Sequence, residues 1–147
     1  MKVAIASDMD TPLARKVLEE IRKRGHEPLA HGALAEDERA DWAWSCERAA
    51  RDVAEGRAEQ GIVCCWTGTG ASIAANKVAG VRAALCADAE TARGAREWND
   101  ANVLALSLRA TSEAVLAEIL DGWFAGHPSE EPEDRANVQH ILELEAR

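Results

Sequence analysis

Cys64-Cys65-Trp66-Thr67-Gly68-Thr69-Gly70-Ala71-Ser72-Ile73-Ala74-Ala75-Asn76 is the stretch on which the reading of this chain turns. It follows the apolar run Gly61-Ile62-Val63 and leads into alanine-rich sequence of helical composition, so a strand is expected to end near Cys65 and a helix to begin near Ala71. Gly68 and Gly70 let the backbone turn tightly and approach a ligand. The helix start beyond them offers unpaired N–H groups and a positive dipole end. A cysteine at such a junction can become a base or nucleophile near neutral pH. The glycine pattern alone fits an ordinary turn equally well.

Working outward, the flanking sequence alternates strand and helix. Lys2 to Ala6 reads as a buried first strand ending at Ser7-Asp8-Met9-Asp10, and Thr11-Pro12 reads as a cap opening a helix with Leu13, Val17, Leu18 and Ile21 on its apolar face. His26 to His31 is a weaker second strand, with both histidines read as surface residues. Gly32 to Ala40 is a charged loop, and Asp41 to Ala54 a helix with Trp44, Ala49 and Val53 available for burial. Gln60 to Cys65 is a third strand, Ala71 to Val78 a short helix, Val81 to Cys86 a fourth strand and Ala89 to Glu97 a helix. Asn102 to Ser107 is a fifth strand and Thr111 to Trp123 a helix capped by Thr111. An acidic stretch, Glu130 to Asp134, introduces a last helix. Repeated βα units with apolar strands imply a parallel sheet covered on both faces. In such a sheet the strand C-termini share a crevice, here Asp8, the Cys65–Gly70 loop, Cys86-Ala87-Asp88 and the segment near Ser107.

Composition bounds the function. At 147 residues and 47% hydrophobic, the chain suits one compact domain. A net charge of −9 argues against nucleic-acid or anionic-membrane binding. The opening residues reach Asp8 too early for a signal peptide, and no apolar run is long enough to span a bilayer, so a cytoplasmic protein is expected. The cysteines at 46, 64, 65 and 86 are read as thiols. Cys64 and Cys65, adjacent on a strand, point to opposite faces and form no metal corner, so neither metal nor cofactor is expected.

Five spaced motifs agree with one family. Ser7-Asp8 after the first strand, the run from Cys65 to Lys77, Val81-Arg82-Ala83-Ala84-Leu85-Cys86, Thr91-Ala92-Arg93 and Asn99-Asp100-Ala101-Asn102-Val103-Leu104 resemble the ribose-5-phosphate isomerase B and galactose-6-phosphate isomerase family. The resemblance covers nearly the whole chain. It implies a Rossmann-like α/β/α sandwich with a five-stranded parallel sheet, a homodimer or homotetramer with shared active sites, and metal-free aldose–ketose isomerisation of a sugar or sugar phosphate. It further implies Cys65 as catalytic base, Thr67 as its neighbour in the site, and the backbone from Gly68 through Thr69 to Gly70, with Ser72 beyond, as the oxyanion-stabilising loop. Asp8 would hold a sugar hydroxyl, and Asn99 would be donated across the dimer interface.

The departures are specific. Met9 and Trp98 stand where the resemblance implies histidines, and neither exchanges protons near neutral pH. Trp66 replaces a glycine beside the base. Glu133 and Asn137 fall where the family's final helix carries phosphate-binding arginines, with Arg135 two residues out of register, and Arg93, Arg96 and Arg109 remain as alternative clamps. Two readings follow. One is an isomerase that keeps the Cys65 enediolate chemistry on a substrate altered from ribose 5-phosphate. The other is an inactive ligand-binding or assembly protein in which Met9, Trp66 and Trp98 fill the old crevice.

Overall fold

The computed structural model describes residues 1–147. Its strands are β1 (Lys2–Ser7), β2 (Glu27–Gly32), β3 (Gln60–Cys65), β4 (Ala83–Leu85) and β5 (Val103–Ser107). Its helices are α1 (Pro12–Lys23), α2 (Trp42–Ala54), α3 (Thr69–Asn76), α4 (Ala89–Asn99), α5 (Glu113–Ala125) and α6 (Pro132–Glu145). The strands form one parallel sheet in the order β2-β1-β3-β5-β4, the expected α/β/α sandwich.

Alternation along the strands builds two cores. Val3, Ile5, Ile62, Cys64, Leu104 and Leu106 face α1, α4 and α5, with Trp123 wholly buried among them. Ala4, Ala6, Val63, Cys65, Val103 and Ala105 face the alanine-rich sides of α2 and α3. Small residues on both sides bring those two helices close to the sheet. Cys64 and Cys65 thus fall on opposite faces, as their adjacency requires.

Local expectations are met where capping chemistry is strong. The Thr11 side chain accepts the Ala14 N–H at 3.1 Å, with Pro12 in the first turn, and Asp88 caps α4 by accepting from the Thr91 N–H at 2.7 Å. Several details are corrected. The cap of α5 is Ser112, which accepts from Val115 at 3.2 Å, whereas the Thr111 N–H is held by the Ser107 carbonyl. β4 is shorter than Val81 to Cys86 because the Val81 N–H is used in a turn to Val78 and the Arg82 N–H by the Asn102 side chain. On α2 the buried side is Ser45, Cys46, Ala49, Ala50 and Asp52, while Trp44 lies outside under the Arg39 guanidinium, 3.5 Å from its ring centre.

The histidines at the ends of β2 are not free surface residues. His31 is enclosed, with Nε2 2.6 Å from Asp52 and Nδ1 3.2 Å from Glu38, and the Glu38 carboxylate also accepts the Gly32 N–H at 2.9 Å. His26 is half-buried, its ring 4.7 Å from that of Phe124. No helix is long and apolar enough to cross a membrane.

Candidate active site

The parallel register sets the C-terminal ends of three strands side by side, with Ser7 opposite Cys64 and Cys65 opposite Ser107. Beyond Cys65 the chain turns through Gly68, which has φ 77°, into α3. A side chain at Gly68 would lie 2.5 Å from Leu85 Cδ1 and 2.9 Å from the Leu106 carbonyl carbon, so only glycine fits. This turn begins α3 at Thr69, two residues earlier than composition suggests.

The Ala71 N–H, in the first turn of α3, donates to Cys65 Sγ at 3.4 Å. An N–H donor at a helix N-terminus favours the thiolate over the thiol. Cys65 is nearly enclosed at 5% exposure. Burial alone pushes the other thiols upward: Cys46 to about 12 and Cys86 to about 11, with Cys64 also raised. Thr67 and Thr69 join through their hydroxyls at 2.7 Å, leaving α3 without a side-chain cap. Ser72 lies one turn on, its N–H bonded to the Gly68 carbonyl.

The far side of Cys65 is anchored by β5. Its carbonyl accepts from Leu108, and the Trp66 carbonyl accepts from the Arg109 N–H and the Ser107 hydroxyl, all at 3.0 Å. That fixes the Trp66 backbone while its indole stays 53% exposed. Arg109, held to this same loop through its backbone, has no carboxylate partner within the chain. Arg93 is paired with Glu90 and Glu97, and Arg96 is turned to the Ala101 carbonyl and Asp100.

Asp8 follows β1. Its Oδ1 is buried without a hydrogen-bond partner. Burial, and after it the neighbouring charge of Asp41, hold its carboxyl above the ordinary range against a backbone hydrogen bond. Met9 is 40% exposed, its backbone pinned by the Ser7 hydroxyl, which donates to the Met9 carbonyl at 2.6 Å. Asp88, counted with this crevice on sequence grounds, spends its carboxylate on capping α4, which lowers its pKa.

One wall was not legible. The start of α2 packs here, and a side chain at Gly70 would come 3.0 Å from two ring atoms of Trp42. Gly70 is thus small to admit an indole. Gly32 to Ala40 carries no periodicity that would bring Asp41 and Trp42 to this crevice, and only the tryptophan opening α2 could have hinted at it.

Trp98 and Asn99 lie elsewhere. They end α4 just before β5 begins, at the opposite edge of the sheet from Cys65, and line a groove of about 720 Å³ with Asn137, Val138 and Ile141 of α6. Glu133 and Asn137 are exposed, and the Asn137 side chain donates to the Glu133 carbonyl.

Comparison with known proteins is consistent throughout. A family model described as Ribose/Galactose Isomerase matches residues 3–141. The chain is 34% identical over 145 residues to the galactose-6-phosphate isomerase subunit LacB of Clostridium acetobutylicum, covering 98% of this chain and 83% of that one. It is 35% identical to ribose-5-phosphate isomerase B of Escherichia coli, covering 92% and 89% of the two chains. Among solved structures, ribose-5-phosphate isomerase B of Clostridium thermocellum superposes with a TM-score of 0.90 at 36% identity, covering 99% of this chain and 98% of that one.

Proposed function

Because the chain belongs to the ribose/galactose isomerase family, we propose that it is an aldose–ketose isomerase in which Cys65 is the base. The Cys65 thiolate removes the proton from C2 of an open-chain aldose. The electron pair moves into a C1–C2 double bond, and the carbonyl oxygen on C1 becomes an enediolate oxygen. The thiol then returns the proton to C1, while the hydroxyl proton on O2 passes to O1. The atoms of aldose and ketose are the same, so no outside reductant enters. The first turn of α3, with the Thr67–Thr69 hydroxyl pair, supplies donors where the negative charge develops. The observation that carries this reading is the hydrogen bond from Ala71 to Cys65 Sγ at the head of a strand–glycine turn–helix unit.

The substrate is altered from ribose 5-phosphate. Met9 and Trp98 cannot exchange protons, so the substrate is one present in open-chain form or short enough to have no ring. Glu133 and Asn137 offer no cation, which leaves Arg109 beside the Trp66 carbonyl as the single anchor for an anionic group. The exposures of Met9, Trp66 and Trp98, at 40, 53 and 48%, support a catalytic crevice over one plugged by these side chains.

The working form is a homo-oligomer with shared sites. Helix α6 buries no residue within its own chain and exposes Ile141, Leu142 and Leu144, as a helix that packs on a second copy would. Trp98 and Asn99, remote from their own Cys65, then serve the neighbouring crevice. The test is an isomerase assay over phosphorylated and free sugars of three to six carbons, with Cys65→Ala as control. Turnover lost in the variant supports the reading, and absence of turnover by the native protein on every sugar refutes it.

A further inference from the structure

Trp42 is the least explained side chain of the crevice. It opens α2, and its indole lies against Gly70, so that a side chain there would come within 3.0 Å of Cδ2 and Cε3. Yet 44% of Trp42 remains exposed, and its indole N–H makes no hydrogen bond. A tryptophan needed only for packing would be covered, as Trp123 is, with its N–H given to Gln60 at 2.9 Å.

Its position is held from the side. Arg39 binds Asp41 at 2.6 Å and lies 3.5 Å over the Trp44 ring, which pins the residues on either side of Trp42. Gly70 sits between Thr69, whose hydroxyl meets Thr67, and Ala71, whose N–H holds Cys65 Sγ. The indole therefore flanks the reacting thiol by one helical turn. On the β1 side stands Asp8, with a buried oxygen that has no partner. An apolar aromatic surface beside an unsatisfied carboxylate matches the two faces of a polyol, whose C–H groups pack on the ring while its hydroxyls donate to the acceptor.

We propose that Trp42 is a substrate-specificity residue, an aromatic platform on which the carbon chain of an open-chain sugar lies while Asp8 accepts from its hydroxyls. The proposal rests on the isomerase reading for the identity of the sugar, but its test is a binding measurement. Because the platform grips the carbon skeleton, it acts on phosphorylated and neutral ligands alike.

Calorimetry with ribitol and with ribose 5-phosphate, on the full chain and on W42A, W42L and W42F, tests it. Covering one face of the indole with a sugar chain gives about a tenfold contribution to affinity. W42A and W42L are expected to weaken both ligands by about that factor, with W42F within about threefold of native and kcat on any sugar turned over changed far less than KM. W42L keeps an apolar side chain against Gly70 without a ring, so native affinity in W42L assigns the residue to packing and overturns the proposal. So does a loss confined to the phosphorylated ligand, or a native protein that binds neither. Binding that follows this pattern without any turnover refutes the isomerase reading and leaves the platform standing.

Discussion

The Ala71 N–H points at Cys65 Sγ from 3.4 Å, so the first turn of α3 is organised around one thiol of the four. Cys46, Cys64 and Cys86 lie in the two cores at 0–1% exposure, and burial raises all three. Alkylation by iodoacetamide at pH 8, followed by peptide mass spectrometry, is expected to modify Cys65 at least about tenfold faster than any other cysteine. Isomerase activity should fall in step with that modification. Faster labelling of Cys46 or Cys86 would contradict the account.

Gly68 is the other fixed point of the loop. Its φ of 77° and the 2.5 Å approach to Leu85 leave no room for a side chain. Gly68→Ala should destabilise the protein by about 2–4 kcal/mol, through backbone strain and overpacking together. A thermal melt should register a fall in Tm of about 5–10 °C. An unchanged melting curve would mean that the turn is softer than its geometry implies.

Asp8 trades stability for binding. Its folded-state pKa lies above the ordinary value, so the native protein holds the proton more firmly than the unfolded chain. The ionised carboxylate is therefore unfavourable to folding above the ordinary carboxylate range, and that cost vanishes as pH falls below it. Asp8→Asn should raise Tm at pH 7, with the gain disappearing in melts near pH 3, while weakening sugar binding at least about tenfold by loss of a charged acceptor. A variant less stable than native at pH 7 would contradict the assignment of that carboxylate.

Arg109 is the anion anchor in this account. Arg109→Ala should raise KM for phosphorylated sugars by about 10–100-fold, with little effect on free sugars, because one charge-assisted contact is lost. Steady-state kinetics on matched phosphorylated and free substrates reads this directly. Equal effects on both would remove Arg109 from phosphate recognition.

The strands were legible because β1, β3 and β5 are short apolar runs buried on both faces, and Gln60–Cys65 was readable to the residue. Helix starts were legible where a side chain caps, as at Thr11, and misjudged where the backbone does the work, as at Gly68. His31 could not be read as enclosed, since its partners Asp52 and Glu38 come from separate elements. The same holds for Trp42. The loop carrying Cys65 was visible as a local pattern, but the wall facing it is built by packing between α2 and α3, which no local period encodes.

Trp98 and Asn99 illustrate the remaining gap. Motif spacing ties them to the active site, yet within one chain they stand at the opposite edge of the sheet from Cys65. Sequence order carries a motif's membership in a site without saying which copy of the chain supplies it.

Proton exchange at C2 tests the central claim most directly. Open-chain sugars and sugar phosphates are incubated in D2O with the native protein and with Cys65→Ala, and deuterium at C1 and C2 is followed by NMR. The account predicts deuterium entering substrate and product with the native protein, and a loss of at least about a thousandfold in that rate for the variant. Exchange at the native rate by Cys65→Ala, or none by the native protein on any sugar offered, would contradict it.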